Sequence, residues 1–229
     1  MQTGTSGRKG HIMKPDIKTV IFDMDGTIID SEPISKAGWR HGIEHQGLEM
    51  PDELFASLLG LGLDTAKQLL INYYGPDFDF GNVVKERRKY IKTRIEQQGL
   101  PMKKGLIYLL DKLDSLGIKK CIATSAVQAD MEYKLNILNL RSRFDGFVTG
   151  DQITNGKPHP DIFLKAAKLM ETDPANCIVL EDSLAGIAAA YNAGIKVIMI
   201  PDMIQPDEEA LGRIFMKCPD LEKAALIFD

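Results

Sequence analysis

The stretch Thr19-Val20-Ile21-Phe22-Asp23-Met24-Asp25-Gly26-Thr27-Ile28-Ile29-Asp30 decides the fold. Its first four residues are apolar or β-branched and read as a short buried strand, too brief for a stable helix. Two carboxylates one residue apart follow at once. An unpaired buried carboxylate costs several kcal/mol, so the strand must emerge before it can carry Asp23 and Asp25. Gly26 then permits a sharp exit turn, and Asp30 or Ser31 can cap a following helix that tolerates Pro33 in its first turn. In open α/β sheets ligands bind at the carboxyl ends of the strands. Two like charges this close favour a divalent cation or a shared proton. Taken alone, however, the stretch reads equally well as a capped polar turn.

Residues 33–97 have a different character, with long helical periodicity and no strand pattern. Leu54, Leu58 and Leu59, then Ala66, Leu69, Leu70 and Tyr73, recur at i, i+3, i+4 spacing as amphipathic helices require. Gly60-Leu61-Gly62 separates these two helices, and Gly75-Pro76-Asp77 ends the second. A third helix, about residues 82–98, carries Val83, Val84, Tyr90, Ile91 and Ile95 on one side. Its other side holds Lys85, Arg87, Arg88 and Lys89 and reads as a solvated basic face. Gly99-Leu100-Pro101 marks a boundary.

From there helices and short apolar runs alternate. Residues 105–116 form a helix closed by Gly117, and Lys120-Cys121-Ile122-Ala123-Thr124-Ser125 a strand ending in hydroxyls. Residues 147–150 give another strand. A helix follows from Pro160, which suits the first helical turn. Ile178-Val179-Leu180-Glu181-Asp182 ends in carboxylates, an alanine-rich helix spans residues 185–193, and residues 197–201 make a fifth strand. This alternation predicts an α/β fold with a doubly wound parallel sheet and right-handed crossovers. The core is expected to be residues 14–32 and 100–229, with residues 33–99 an inserted α-helical cap. Residues 1–13 are polar, rich in Gly and Ser, and lack an apolar signal core. They read as a vector-derived leader, with Met13 the natural start.

Composition narrows the function classes. The 229 residues suffice for a substantial core, and 44% hydrophobic with 26% charged residues is ordinary for a globular protein. A net charge of −4 gives no basis for nucleic acid or an anionic membrane as partner, and no apolar run approaches about 20 residues. Cys121, Cys177 and Cys218 are odd in number and widely spaced, and read as buried free thiols of a cytoplasmic protein.

The chemistry-bearing strand ends fall on one edge of the predicted sheet. Asp23 and Asp25 end the first strand, Thr124 and Ser125 the second, and Glu181 and Asp182 the fourth. Gly156-Lys157-Pro158 adds a lysine between turn-forming residues. Several carboxylates gathered in a crevice call for a hard cation, and Mg²⁺ accepts oxygen ligands while keeping positions open for a phosphate. Hydroxyls, backbone N–H groups and one lysine can hold the remaining phosphate oxygens.

These residues resemble the haloacid dehalogenase superfamily of phosphotransferases, in the branch of β-phosphoglucomutase and related sugar-phosphate phosphatases. Four ordered motifs carry the resemblance: Asp23-Met24-Asp25-Gly26-Thr27, Thr124-Ser125, Gly156-Lys157-Pro158-His159-Pro160-Asp161, and Leu180-Glu181-Asp182-Ser183 with Ala185-Gly186. The likeness extends from about Ile17 to Pro201. It implies that Asp23 is the nucleophile forming an aspartyl phosphate, and that Asp25 acts as general acid and base. It implies Mg²⁺ held by Asp23, Asp25 through its carbonyl, Asp182, and Glu181 directly or through water. Ser125 and Lys157 would complete the catalytic set, with Thr27, Thr124, Ser125, Ala126 and Lys157 around the phosphoryl group.

The resemblance leaves the reaction open. Mutases of this branch look for a basic cap residue and a histidine one turn into the helix after the first motif; Leu63 and Ser35 stand at those positions here. The expected activity is therefore Mg²⁺-dependent hydrolysis of a small phosphorylated metabolite by a monomer. A phosphosugar mutase and a catalytically idle phosphate-binding module are the alternatives. Trp39, Gly60, Leu61, Leu63 and Asp64 of the cap can face the crevice, and the chain crossings near residues 30–33 and 100–104 can act as a hinge.

Overall fold

A computed structural model describes residues 16–229 apart from Leu59, Gly60 and Gly62. The expected leader, and the glycine break after the first cap helix pair, lie outside the described residues.

Six strands form one parallel sheet in the order β3-β2-β1-β4-β5-β6. They are β1 (Thr19–Phe22), β2 (Lys119–Thr124), β3 (Gly146–Thr149), β4 (Cys177–Glu181), β5 (Lys196–Met199) and β6 (Met216–Lys217). Their alternating side chains divide the core into two layers. Val20, Phe22, Ile122, Ile178, Leu180 and Ile198 face one side. There they meet helices α5 (Leu106–Ser115), α6 (Gln128–Ile137) and α10 (Leu221–Ala225). Ile21, Cys121, Ala123, Val179 and Val197 face the other, against α7 (Asp161–Leu169), α8 (Leu184–Asn192) and α9 (Glu208–Arg213). The doubly wound parallel sheet predicted from the sequence is thus the observed architecture. All three cysteines are buried and unpaired.

Pairing register aligns the strand tips. Phe22 pairs with Ile122 on one side and Leu180 on the other. The next residue, Asp23, donates its N–H to the Leu180 carbonyl at 2.9 Å. One residue past each pairing therefore stand Asp23, Ala123 and Glu181, and the chemistry begins there.

Between β1 and α5 the chain forms α1 (Glu32–Glu44), α2 (Asp52–Leu58), α3 (Leu63–Tyr74) and α4 (Phe80–Gln98). These helices gather round their own apolar cluster, including Trp39, Ile43, Leu54, Phe55, Leu70 and Val83. Ser31 occupies the cap position of α1, but its side chain makes no capping bond, whereas Asp79 accepts from the Asn82 N–H at the start of α4. Outgoing and returning chain pair with each other beneath these helices. Asp30 N–H donates to the Pro101 carbonyl and Lys103 N–H to the Ile28 carbonyl, both at 2.9 Å. Lys103 also bridges Asp30 at 3.2 Å and Asp202 at 2.6 Å.

Three sequence expectations change here. Tyr73 is 56% exposed rather than part of the buried face of α3. Trp39 packs inside the helical cluster and does not face the crevice. Arg87 leaves the supposed solvated face of α4: its guanidinium lies 4.7 Å over the Trp39 ring and donates to Ser35 Oγ at 3.2 Å. Local pattern groups Arg87 with Lys85, Arg88 and Lys89, and the aromatic partner that draws it inward is 48 residues away along the chain, invisible to that pattern. Among the described residues no helix is long and apolar enough to cross a membrane.

Gly105 ties α5 to the C-terminal helix. It adopts φ +83°, and a Cβ there would come within 2.2 Å of the Glu222 backbone nitrogen. Gly105→Ala should lower the unfolding free energy in urea by about 3 kcal/mol, from left-handed strain and overpacking together. A loss under about 1 kcal/mol would mean that the two helices part without cost.

Candidate active site

The aligned strand tips line a cavity of about 480 Å³. Asp23, Asp25, Thr124, Ser125, Ala126, Lys157 and Asp182 border it. Eight of the nine residues predicted from sequence therefore meet on, or in contact with, one crevice once Glu181 is added through its bond to Lys157.

Asp23 leaves β1 only 7% exposed. Lys157 Nζ donates to Asp23 Oδ1 and, at 2.6 Å, to Glu181 Oε1. The other Glu181 oxygen accepts the Ser183 N–H at 2.6 Å. Lys157 is itself buried, with its ammonium 5.0 Å from the Phe163 ring centre. A buried lysine is tolerable only because two carboxylates flank it. Burial alone would lower its pKa; Asp23 and Glu181 more than offset that, and it ends above the usual lysine value.

Carboxylate oxygens of Asp23, Glu181 and Asp182 all lie within 4.8 Å of one another. One ammonium cannot neutralise three carboxylates. Burial, only partly countered by Lys157, pushes Asp23 up to about 7. Burial and the neighbouring Glu181 and Asp23 push Asp182 up to about 9. This charge deficit, in an all-oxygen donor set, fits a hard divalent cation. The turn is built to admit Asp182: Gly26 has φ +86°, and a Cβ there would sit 2.2 Å from Asp182 Oδ2. Any side chain at position 26 would evict the carboxylate.

Thr27 departs from its expected place. It is fully buried, and its hydroxyl donates to Asp182 Oδ1 at 3.2 Å instead of bordering the cavity. The Gly26 turn points it back beneath the cluster, where it orients a carboxylate. Thr124 is also almost fully buried and its Oγ1 accepts the Ala126 N–H at 3.1 Å, shaping the loop that presents the exposed Ser125.

Asp25 borders the same cavity, but its carboxylate stands outside the acidic cluster. Both its oxygens accept from Lys134 Nζ, each at 2.9 Å. Sequence reasoning missed Lys134: it sits inside α6, whose weak apolar pattern buries only Met131 and Leu135. Glu32 was missed too. It lines the cavity from the first turn of α1, with Oε2 buried and unpartnered, and burial followed by the Asp202 and Asp25 charges raises its pKa. The order Asp-Ser-Glu-Pro after the first motif gave a helix start and no sign that the glutamate turns toward the crevice.

The haloacid dehalogenase-like hydrolase family profile matches residues 20–200. A phosphorylated carbohydrates phosphatase of Thermotoga maritima is 32% identical over 182 residues, 80% of this chain and 84% of that protein. The fructose-1-phosphate phosphatase YqaB of Escherichia coli is also 32% identical, over 78% of this chain and 94% of its own. Among solved structures, the β-phosphoglucomutase of Clostridium difficile superposes with a TM-score of 0.70 at 25% identity, covering 90% of this chain and 92% of that one. With its motifs in order on aligned strand tips, this chain belongs to the haloacid dehalogenase-like hydrolases.

Proposed function

We propose that this chain is a Mg²⁺-dependent phosphatase that hydrolyses a small phosphorylated metabolite, a sugar phosphate or similar, through an aspartyl phosphate on Asp23. The observation that carries this reading is the Asp23 carboxylate itself: buried at the cavity floor, held by Lys157, and opposite the Thr124–Ser125 loop. The cavity of about 480 Å³ suits a small metabolite. The sugar-phosphate phosphatases among the relatives support the same substrate class.

Asp23 attacks phosphorus, splitting one difficult displacement into two easier ones. Lys157 fixes the attacking carboxylate and offsets the charge on the transferring group, and Ser125 donates to a phosphoryl oxygen. Asp25 gives its proton to the departing alcohol and later takes one from the water that opens the aspartyl phosphate. Thr27 and Ser183 keep the Asp182 and Glu181 carboxylates in place. Asp23 and Asp182, the Asp25 carbonyl, and Glu181 would hold Mg²⁺, which supplies positive charge against the phosphoryl oxygens. Leu63, 44% exposed at the start of α3, and Ser35, engaged by Arg87, offer neither cap group that a mutase of this branch looks for.

In a panel of hexose, pentose and hexitol phosphates with Mg²⁺, one class should stand well above the rest in phosphate release. Asp23→Asn should lower turnover at least about 10³-fold, and Asp25→Asn by about 10²–10⁴-fold. Isomerisation of β-glucose 1-phosphate without phosphate release would establish the mutase instead; residual full activity in Asp23→Asn would exclude the aspartyl phosphate.

The acidic cluster also sets a pH signature. In the unfolded chain Asp23 and Asp182 lose their protons near pH 3.8, whereas in the fold they keep them to about 7 and 9. Rising pH thus strips protons from the unfolded state first and weakens the metal-free fold throughout that window. Lys157, with its raised pKa, stays charged and does not alter the sign. In EDTA the thermal midpoint should fall from pH 5 to pH 9; Mg²⁺ should restore it most at the alkaline end, and its binding at about pH 7 and below should release protons. A midpoint that is flat in EDTA, or Mg²⁺ binding without proton release, would count against this cluster as the cation site.

A further inference from the structure

Among the described residues Lys134 is the one cationic group on the Asp25 carboxylate, and the proposed chemistry does not use it. Its ammonium sits 2.9 Å from each Asp25 oxygen and 3.5 Å from Asp130, one helical turn back on α6. The Lys134 side chain is only 17% exposed, while Asp25 keeps 37% of its side chain open to the cavity. A buried lysine pinned symmetrically by one carboxylate is costly to place. It does two things for Asp25. It fixes the side-chain rotamer, and it keeps the carboxylate apart from the Asp23, Glu181 and Asp182 cluster.

We infer that Lys134 is a positioning residue for the reaction proposed above, on which this role rests: it aims Asp25 at the leaving-group oxygen. In the first step an Asp23 oxygen forms a bond to phosphorus and the bond from phosphorus to the ester oxygen breaks. That electron pair goes to the alcohol oxygen, which takes the proton of Asp25 and departs as neutral alcohol. To deliver the proton, Asp25 gives up one of its two contacts with Lys134, takes a proton on the freed oxygen from solvent in the cavity and passes it to the alcohol oxygen, while Asp130 stands ready as the second acceptor for the ammonium. The carboxylate pivots about a fixed point instead of searching for its rotamer.

This role separates substrates by leaving group. An alkyl phosphate needs the proton; p-nitrophenyl phosphate does not, because nitrophenolate is a stable anion near neutral pH. The value of kcat/KM reports only steps up to departure of the alcohol, so the later hydrolysis of the aspartyl phosphate does not enter. Lys134→Met should lower kcat/KM for the best sugar phosphate of the panel at least about 10-fold, a fraction of the acid's own contribution, and that for p-nitrophenyl phosphate less than about threefold. Lys134→Arg should recover part of the loss. In the double variant with Asp25→Asn the Lys134 effect should vanish, because it acts through Asp25. Thermal unfolding of each variant identifies any that fail to fold, and for those Lys134→Gln carries the same comparison.

Equal losses on both substrates, no loss on either, or a Lys134 effect that persists without Asp25 would overturn the assignment while leaving the phosphatase intact. Wild-type protein that releases no more phosphate than Asp23→Asn from any ester would instead remove the reaction, and the role of Lys134 with it.

Discussion

The Lys157 ammonium, lodged between Asp23 and Glu181, is the contact on which the site depends. Three acidic side chains within 4.8 Å in a buried crevice repel one another when ionised, and burial strengthens that repulsion. One buried lysine does not cancel that repulsion, but it makes the arrangement foldable. Removing either partner of such a pair typically costs about 3–5 kcal/mol, because the other charge is left stranded. Lys157 arrives on the loop before α7, and Phe163 on that helix supports its charge from the ring face. The helix is therefore part of the electrostatics as well as of the core.

Around that contact the sheet does the positioning. Parallel register brings Asp23 level with Glu181, and the hydroxyl-bearing end of β2 lies alongside. The turn after β1 presses against Asp182, and Thr27 beneath it fixes the carboxylate. These contacts hold the groups in place without a ligand. Their raised pKa values record the expense of holding like charges together, the kind of preorganised tension that reactive centres exploit.

Much of this was legible in the sequence because its signals are local. Four apolar residues followed by Asp23-Met24-Asp25-Gly26 announce a strand end and a turn, and Glu181-Asp182 repeats the announcement. The helical stretch before residue 99 declares itself by period. What escaped is what depends on distant partners. Lys134 looks like any surface lysine until α6 folds back against β1's turn, and Arg87 looks solvated until Trp39 comes beneath it. Thr27 was legible as part of a motif, but its direction was not: one turn of backbone sends a hydroxyl to a phosphate or to a neighbouring carboxylate. Strand β6 and helix α10 were missed because two residues and five residues carry too little periodicity to read.

The paired chain crossings under α1–α4 carry a separate consequence. Asp30 bonded to Pro101, and Ile28 to Lys103, close the insertion at its base. Since the two ends meet there, the sheet experiences only their separation, never the length or content of what lies between. Chain-closure entropy grows only slowly with loop length, so added or deleted helical turns would scarcely alter the stability of the sheet below. Such a joint lets selection rewrite the roof of the crevice while its floor stays constant.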